Sequence, residues 1–158
     1  MIPLRRLLLK GSTTLPLAAL LAGGLLQPSR LLAASWNHNA FTARQTDEAL
    51  KAYGAVQPSP AGPRDITIHA PETAENGGKV DIEVSTTLPG AVSIAVFADK
   101  NAYPLCASID FLPPALPFVK LQAKLLESTR IRAVVRSGDG KFHVAFREIK
   151  VTQGGCGA

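Results

Sequence analysis

The sequence predicts a mainly β fold, an immunoglobulin-like antiparallel β-sandwich with a short N-terminal helix and a flexible C-terminal tail. The first observation is that apolar residues alternate with polar ones from Asp65 onward, as in strands with one buried face. The second is that turn residues recur about every ten to fifteen positions between these runs. The third is that no helical segment separates the strands, which favours antiparallel sheets packed face to face.

Residues 1–34 are predicted to be an export signal, because a basic stretch, an apolar run and a short polar stretch follow one another. The apolar run, residues 15–26, has 12 residues, whereas a membrane-spanning helix needs about 20. We therefore expect cleavage near Ala33 or Ala34 and no stable membrane insertion of the mature protein. A retained membrane anchor is the alternative.

The export signal also resembles a twin-arginine signal, which directs the export of folded proteins. Arg5, Arg6 and Lys10 hold three positions of that pattern. Leu4 stands where the pattern has Ser or Thr, and Leu8 stands where it has Phe. We therefore expect export to the periplasm by the twin-arginine route.

The net charge of +5 first suggests a nucleic-acid partner, but four of the 17 basic residues lie in residues 1–34, which contain no acidic residue. The remaining 124 residues carry 13 basic and 12 acidic side chains, mixed along the sequence. A nucleic-acid-binding domain normally has a basic face, so this pattern argues against nucleic-acid binding. A chain of this length suits one domain.

A single short helix is predicted within residues 35–64, after a loose lead-in. Thr42 is in position to cap its start, and Gln45 follows three residues later, as in a capping box. Gly54 ends the helix, and the Pro- and Gly-rich residues 55–64 form a linker or long turn. Residues three and four apart form its apolar face: Ala49, Leu50 and Tyr53.

Residues 65–152 are predicted to form the β-sandwich, with six or seven short strands. The last hairpin turns at Gly138-Asp139-Gly140, and Ile149 and Val151 continue its second strand after a slip in register. The alternating apolar residues of the strands are Ile66 and Ile68; Val80, Ile82 and Val84; Val92, Ile94 and Val96; Val119, Leu121, Ala123 and Leu125; Ile131, Ala133 and Val135; and Phe142, Val144 and Phe146.

Residues 101–117 differ from the rest of the sandwich region, because they contain four prolines among apolar side chains. One interpretation is a rigid crossover between strands, since proline fixes the backbone of turns. The other is an exposed apolar patch that contributes to a protein interface.

The strand pattern ends at Val151 or Thr152, and residues 153–158 are predicted to form a mobile tail. Glycines surround the single cysteine of this tail. Because glycine has no side chain and resists a fixed conformation, the tail is both thin and flexible. This arrangement presents a nucleophilic sulfur on a tether that fits a narrow channel. The residues are Gly154, Gly155 and Gly157 around Cys156.

A disulfide between Cys106 and Cys156 is the main alternative, because two cysteines in an oxidising compartment often pair. The protein would then be a secreted structural or interaction domain. No metal site is predicted, since His38, His69 and His143 lie in no ligand-like spacing. An independent thiol enzyme is disfavoured, because no base lies next to Cys156 in the sequence.

The chain resembles the SoxY family, the sulfur-carrier subunits of a periplasmic thiosulfate-oxidising system. Its tail, Gly154-Gly155-Cys156-Gly157-Ala158, resembles the C-terminal Gly-Gly-Cys-Gly-Gly of that family. The resemblance spans most of the mature chain, and the cysteine tail is its most specific part. The other shared features are the twin-arginine-like signal, the helix around Ala49-Leu50, residues 68–77, and Lys100-Asn101 followed by Pro104-Leu105.

The resemblance implies a carrier without independent catalysis, with substrate sulfur attached covalently to Cys156 and no cofactor besides these adducts. A haem protein, SoxXA, would attach thiosulfate oxidatively, and a hydrolase, SoxB, would release sulfate. A sulfane dehydrogenase, SoxCD, would oxidise the remaining sulfur where it is present. The family also implies a heterodimer with SoxZ, an immunoglobulin-like partner without a signal of its own.

Two residues depart from the family pattern. Ala158 stands where the family ends in Gly, and its methyl group adds little width to the tail. Cys106 is the larger departure, because the family typically relies on the tail cysteine alone. We interpret Cys106 first as a buried, inert thiol. A resolving partner for Cys156 and a bridge between subunits remain as alternatives.

Overall fold

The computed structural model describes residues 36–154, and this part of the chain forms two helices and nine strands. The predicted signal, residues 1–34, and residues 155–158 of the predicted tail lie outside the described residues. Neither helix is long and apolar enough to cross a membrane. The elements are α1 (His38–Thr42), α2 (Thr46–Tyr53), β1 (Ser59–Pro60), β2 (Ile66–His69), β3 (Thr73–Asn76), β4 (Val80–Thr86), β5 (Ala91–Ala98), β6 (Leu105–Asp110), β7 (Phe118–Ala123), β8 (Thr129–Ser137) and β9 (Phe142–Gln153).

Two sheets confirm the predicted immunoglobulin-like β-sandwich. The larger sheet has the strand order β1-β9-β8-β5-β6, with β3 also paired to β9, and the smaller sheet has the order β2-β4-β7. Neighbouring strands are antiparallel except at β9, where the short strands β1 and β3 run parallel to it. Apolar side chains from both sheets form the main core, whose fully buried members include Ile82, Ile94, Leu125, Ile131 and Ile149.

The larger sheet is also buried on its other face, where the helices cover it. Ala49 and Leu50 of α2 belong to a second apolar cluster with Phe97 of β5 and Val134 of β8. The Tyr53 ring meets the Phe97 ring edge-on, with 6.1 Å between the ring centroids. The prediction of one apolar face per strand is therefore wrong for β5 and β8, because a helical layer buries their second face.

β9 is one continuous strand, so the predicted slip in its register is wrong. Its pairing with β8 runs without a shift from Thr129 opposite Ile149 to Arg136 opposite Phe142. Val144 belongs to the cluster beneath the helices, whereas Ile149 belongs to the core between the sheets. The first half of β9 buries its apolar side chains under the helices, and the second half buries them between the sheets. The apolar positions therefore change face without any slip in register.

The helical region differs from the prediction at its start and agrees at its end. The predicted loose lead-in contains α1, and Thr42 ends this helix instead of capping the next one. The Thr42 hydroxyl donates a hydrogen bond to the His38 carbonyl, 2.9 Å away. α2 begins at Thr46, and the preceding Gln45 side chain makes no capping hydrogen bond. Gly54 ends α2 as predicted, with a φ of 95° that suits glycine.

The alternation of apolar residues does not mark β1, β3 and β6. β1 lies in the predicted linker, where Ser59 and Pro60 pair with His143 and Val144 of β9. β6 lies in the Pro-rich residues 101–117 and pairs with β5 at the edge of the larger sheet. Most side chains of these three strands are exposed or partly buried, so their sequences carry no apolar stripe. Residues 55–64 are therefore more than a linker and residues 101–117 more than a crossover, because each segment also contains a strand.

Candidate functional site

The predicted attachment residue, Cys156, lies outside the described residues together with Gly155 and Gly157, and so does Ala158. Gly154 is described, two positions before the cysteine. The candidate site is therefore built from residues 150–154, which we name the tail base, from β3 with the turn that follows it, and from the loop of residues 124–128.

One side of the tail base pairs with β3. β9 extends beyond its pairing with β8 and continues beside β3, with Asn76 opposite Gln153. The Gly77 N–H donates to the Gln153 carbonyl at 2.8 Å. The Thr152 hydroxyl donates to the Glu75 carbonyl at 2.9 Å. These bonds fix the backbone as far as Gln153.

The loop of residues 124–128 lies on the other side of the tail base. The Val151 N–H donates to the Ser128 hydroxyl at 2.9 Å. At Gly154 the backbone passes so close to the loop that an added Cβ would collide with the Leu126 carbonyl oxygen. This close approach requires glycine at position 154.

The Asn101 side chain fixes the position of that loop. Its amide nitrogen donates to the Lys124 carbonyl at 2.8 Å, and its amide oxygen accepts from the Leu126 N–H at 3.2 Å. Between these two residues, the Leu125 side chain is fully buried, and its N–H donates to the Gly77 carbonyl at 2.7 Å. Asn101 thereby determines where the Leu126 carbonyl lies.

Cys106 is a free, half-buried thiol on β6 that packs against the main core. Its sulfur donates to the Pro104 carbonyl at 3.5 Å and accepts from the Asn101 amide nitrogen at 3.9 Å. Burial raises the pKa of the Cys106 thiol to about 11, although hydrogen bonds to the Ala98 backbone and to Asn101 oppose the shift. The thiol is therefore protonated at neutral pH, which fits the interpretation of an inert thiol.

The charges around the tail base are mixed. Lys150 lines a shallow groove of about 340 Å³ together with Arg147, Glu72 and Glu148. Two basic and two acidic side chains give this groove no net charge. The lining of this groove thus offers no excess positive charge that would stabilise a thiolate.

The three histidines lie on separate elements, His38 on α1, His69 on β2 and His143 on β9. Within residues 36–154, no group of three or more His, Cys, Asp or Glu side chains is placed to bind a metal ion.

The Pro-rich residues 101–117 and the start of β7 present apolar side chains to solvent. Leu112 and Leu116 are 80% and 82% exposed, and Phe118 is half exposed. Leu112 lies beside an open groove of about 370 Å³ with an apolar lining that includes Phe111. This surface favours the exposed-patch interpretation of the segment.

Sequence reasoning identified Gly154 but missed Asn101 and Leu126. The Asn101 contacts join a side chain to backbone atoms 23 and 25 positions away, and local patterns carry no information about such contacts. The one available signal was the Lys100-Asn101 pair, which the family resemblance already included.

Comparisons with known proteins extend these observations. The family model described as sulfur oxidation protein SoxY matches residues 50–156. The solved structure of the sulfur carrier protein SoxY from Chlorobium limicola f thiosulfatophilum is 40% identical, covers 67% of this chain and 94% of its own, and has a TM-score of 0.60. The superoxide reductase (neelaredoxin) from Ignicoccus hospitalis is 22% identical, covers 55% of this chain and 80% of its own, and has a TM-score of 0.50, a likeness of fold alone. No curated protein matches the chain.

Proposed function

The chain belongs to the SoxY family of sulfur oxidation proteins, and we propose that it carries sulfur substrates covalently on Cys156. The observation that carries this proposal is the family match, which runs from residue 50 through Cys156 itself. The similar Chlorobium protein is named a sulfur carrier and matches along 94% of its length. The tail base adds physical support, because the domain ends its last strand three residues before this cysteine.

In the proposed loading step, a bond forms between the Cys156 sulfur and the outer sulfur of thiosulfate. The thiol loses its proton, and the two reactants together lose two electrons. A haem protein of the SoxXA kind accepts these electrons. The thiolate is the nucleophilic form of cysteine, so removal of the proton precedes or accompanies bond formation.

In the proposed release step, water attacks the sulfonate sulfur of the adduct in a hydrolase of the SoxB kind. The bond between the two substrate sulfurs breaks, sulfate leaves with release of two protons, and Cys156 keeps a persulfide. Where a sulfane dehydrogenase of the SoxCD kind is present, it takes six electrons and six protons from the persulfide and three waters. A second hydrolysis then returns the thiol and sulfate.

We propose that the chain has no catalytic activity of its own. The groove beside the tail base supplies no excess positive charge, and the other thiol, Cys106, is protonated at neutral pH. Activation of Cys156 is therefore assigned to the active site of each partner enzyme.

We also propose a periplasmic location, twin-arginine export and a heterodimer with a SoxZ-like subunit. Folded export of the pair would explain why one subunit carries the signal for both. The exposed apolar side chains of Leu112, Leu116 and Phe118 support a stable protein partner.

The carrier is better supported than a domain closed by a Cys106–Cys156 disulfide. The Cys106 sulfur is hydrogen-bonded to Pro104 and Asn101, and it packs against the main core. A carrier needs its tail cysteine unpaired, and the protonated, core-packed thiol of Cys106 reacts poorly as a partner for a disulfide.

The experiment compares Cys156→Ser with Cys106→Ser as the matched control, each assayed for sulfate release from thiosulfate with the partner enzymes present. Cys156→Ser is expected to abolish sulfate release, because the adduct has no other attachment atom. Cys106→Ser is expected to retain activity. Full activity of Cys156→Ser would exclude the proposal, and thermal melting of both variants checks that each is folded.

A further inference from the structure

We infer that the tail that carries Cys156 is anchored to the domain through Gly154, with Asn101 as a positioning residue, so that a single residue, Gly155, separates the last fixed point from Cys156. This inference rests on the proposed carrier function. It differs from a tail that is free from residue 153 onward, because it assigns Gly154 a structural contact.

The first support is that the tail base has partners on both of its edges. β3 bonds one edge through Gly77 and Glu75, as far along the chain as Gln153. Ser128 bonds the other edge at Val151. A strand end with hydrogen bonds on both edges has less freedom than a terminal segment without partners.

The second support is the close approach at Gly154. Its backbone lies against the Leu126 carbonyl, where a side chain of any kind would collide. A glycine that served flexibility alone would need no such contact. The absent side chain is therefore explained by the path of the backbone at this position.

The third support is Asn101, which bonds the backbone on both sides of Leu125. One amide group thus holds Lys124 and Leu126, and Leu126 carries the carbonyl on which Gly154 lies. Asn101 acts on the tail through this loop and not by touching the substrate, so it is a positioning residue.

The consequence is a short reach for the sulfur. Two positions along a fully extended chain, the separation of Gly154 and Cys156, span roughly 7 Å. A partner enzyme must therefore bring its reactive centre close to Gly154, where the tail leaves the domain. Its surface must then contact residues 76–78 and 124–128. Leu126, which lies beside Gly154 and has a partly exposed apolar side chain, is suited to that contact.

A spectroscopic experiment on the full mature chain tests the anchor directly. In a Cys106→Ser background, one nitroxide is placed on Cys156 and another on Lys120→Cys, an exposed position of β7. The distribution of distances between them is expected to be narrow, and broader after four glycines are inserted behind Gly154. Gly154→Ala and Asn101→Leu are expected to shift or broaden it, whereas Lys124→Ala, whose exposed side chain lies in the same loop, leaves it unchanged.

Loading kinetics supply a second readout. Gly154→Ala and Asn101→Leu are expected to lower kcat/KM for thiosulfate loading by the partner haem protein about tenfold, because misplacement of a reacting group lowers reactivity. The rate at which iodoacetamide modifies Cys156 stays unchanged, since a small reagent needs no fixed geometry. If Asn101→Leu does not fold, Gly154→Ala alone tests the anchor, because position 154 follows the last strand and lies outside the core.

Failure of the anchor and failure of the carrier function would give different results. A native distance distribution as broad as that of the four-glycine variant, with normal loading of all variants, would overturn the anchor and leave the carrier function intact. Absence of loading in the native chain would overturn the carrier function, and the distance measurement would still decide whether the tail is anchored.

Discussion

At the scale of single residues, positions 54 and 154 are occupied by glycine for different physical reasons. Gly54 ends α2 at a φ of 95°, a left-handed conformation that costs most other residues free energy. Gly154 has no side chain because the Leu126 carbonyl occupies the place of one. Sequence patterns predicted the first, since a helix stop is local. They did not predict the second, since the collision involves a loop 28 positions away.

Thr42 is a residue whose local pattern was misleading. Its spacing to Gln45 fits a capping box, yet the Asn37 side chain caps α1 and accepts from the Ala40 N–H. With α1 in place, Thr42 lies at a helix end, where its hydroxyl bonds back to the His38 carbonyl.

Cys106 gives a pH-dependent prediction. At pH 8 an alkylating reagent is expected to modify Cys156 in the folded protein much faster than Cys106, because the Cys106 pKa of about 11 leaves little thiolate. The Cys106 rate rises with pH as the thiolate fraction increases toward that pKa. Peptide mass spectrometry after timed alkylation at several pH values measures both rates, and unfolded protein is the control. Equal rates at pH 8 would refute the protection of Cys106.

At the scale of elements, strands with an apolar stripe were predictable and edge strands were not. Alternation located β2, β4, β5, β7, β8 and β9, because burial of one face imposes a period of two. β1, β3 and β6 depend on backbone hydrogen bonds to β9 or β5 while most of their side chains stay outside the core. Because backbone hydrogen bonds do not depend on the side chain, the residue types of these three strands do not reveal them.

Asp99, directly after β5, ties that strand to β8. Its carboxylate accepts from Arg130 at 2.9 Å and from Arg132 at 2.6 Å, and the Asp99 side chain is 14% exposed. Both guanidinium groups also lie over the Phe146 ring. The cluster is thus a partly buried ionic contact between two neighbouring strands.

Removal of the Asp99 charge is expected to destabilise the fold. Asp99→Asn leaves two partly buried guanidinium groups without their anion, which should lower the free energy of unfolding by about 2 kcal/mol. Glu83→Gln is the matched control, because it breaks the exposed Glu83–Lys120 pair, whose charges are screened by water, so a smaller loss is expected. Urea denaturation measures both variants. Equal losses of stability would contradict the structural role of Asp99.

At the scale of the whole molecule, the domain has a helical layer, a larger sheet and a smaller sheet in that order. The sandwich was predictable because composition and period both indicated short strands. The helical layer over the larger sheet was missed, although the apolar run from Ile94 to Ala98 in β5 is typical of a strand that is buried on both faces. Of the proposed site, Cys156 and its glycines were predictable from the sequence, whereas the tail base depends on contacts with distant segments of the chain.

The proposed carrier function is tested most directly by the mass of the C-terminal peptide after reaction with thiosulfate and the partner haem protein. Trypsin cleaves after Lys150, so residues 151–158 form a peptide with Cys156 as its single cysteine. The proposal predicts a thiosulfate-derived adduct on this peptide, removable by reductant and absent from the peptide that contains Cys106. An unmodified peptide while thiosulfate is being oxidised, or its recovery solely as a disulfide with the Cys106 peptide, would contradict the carrier function.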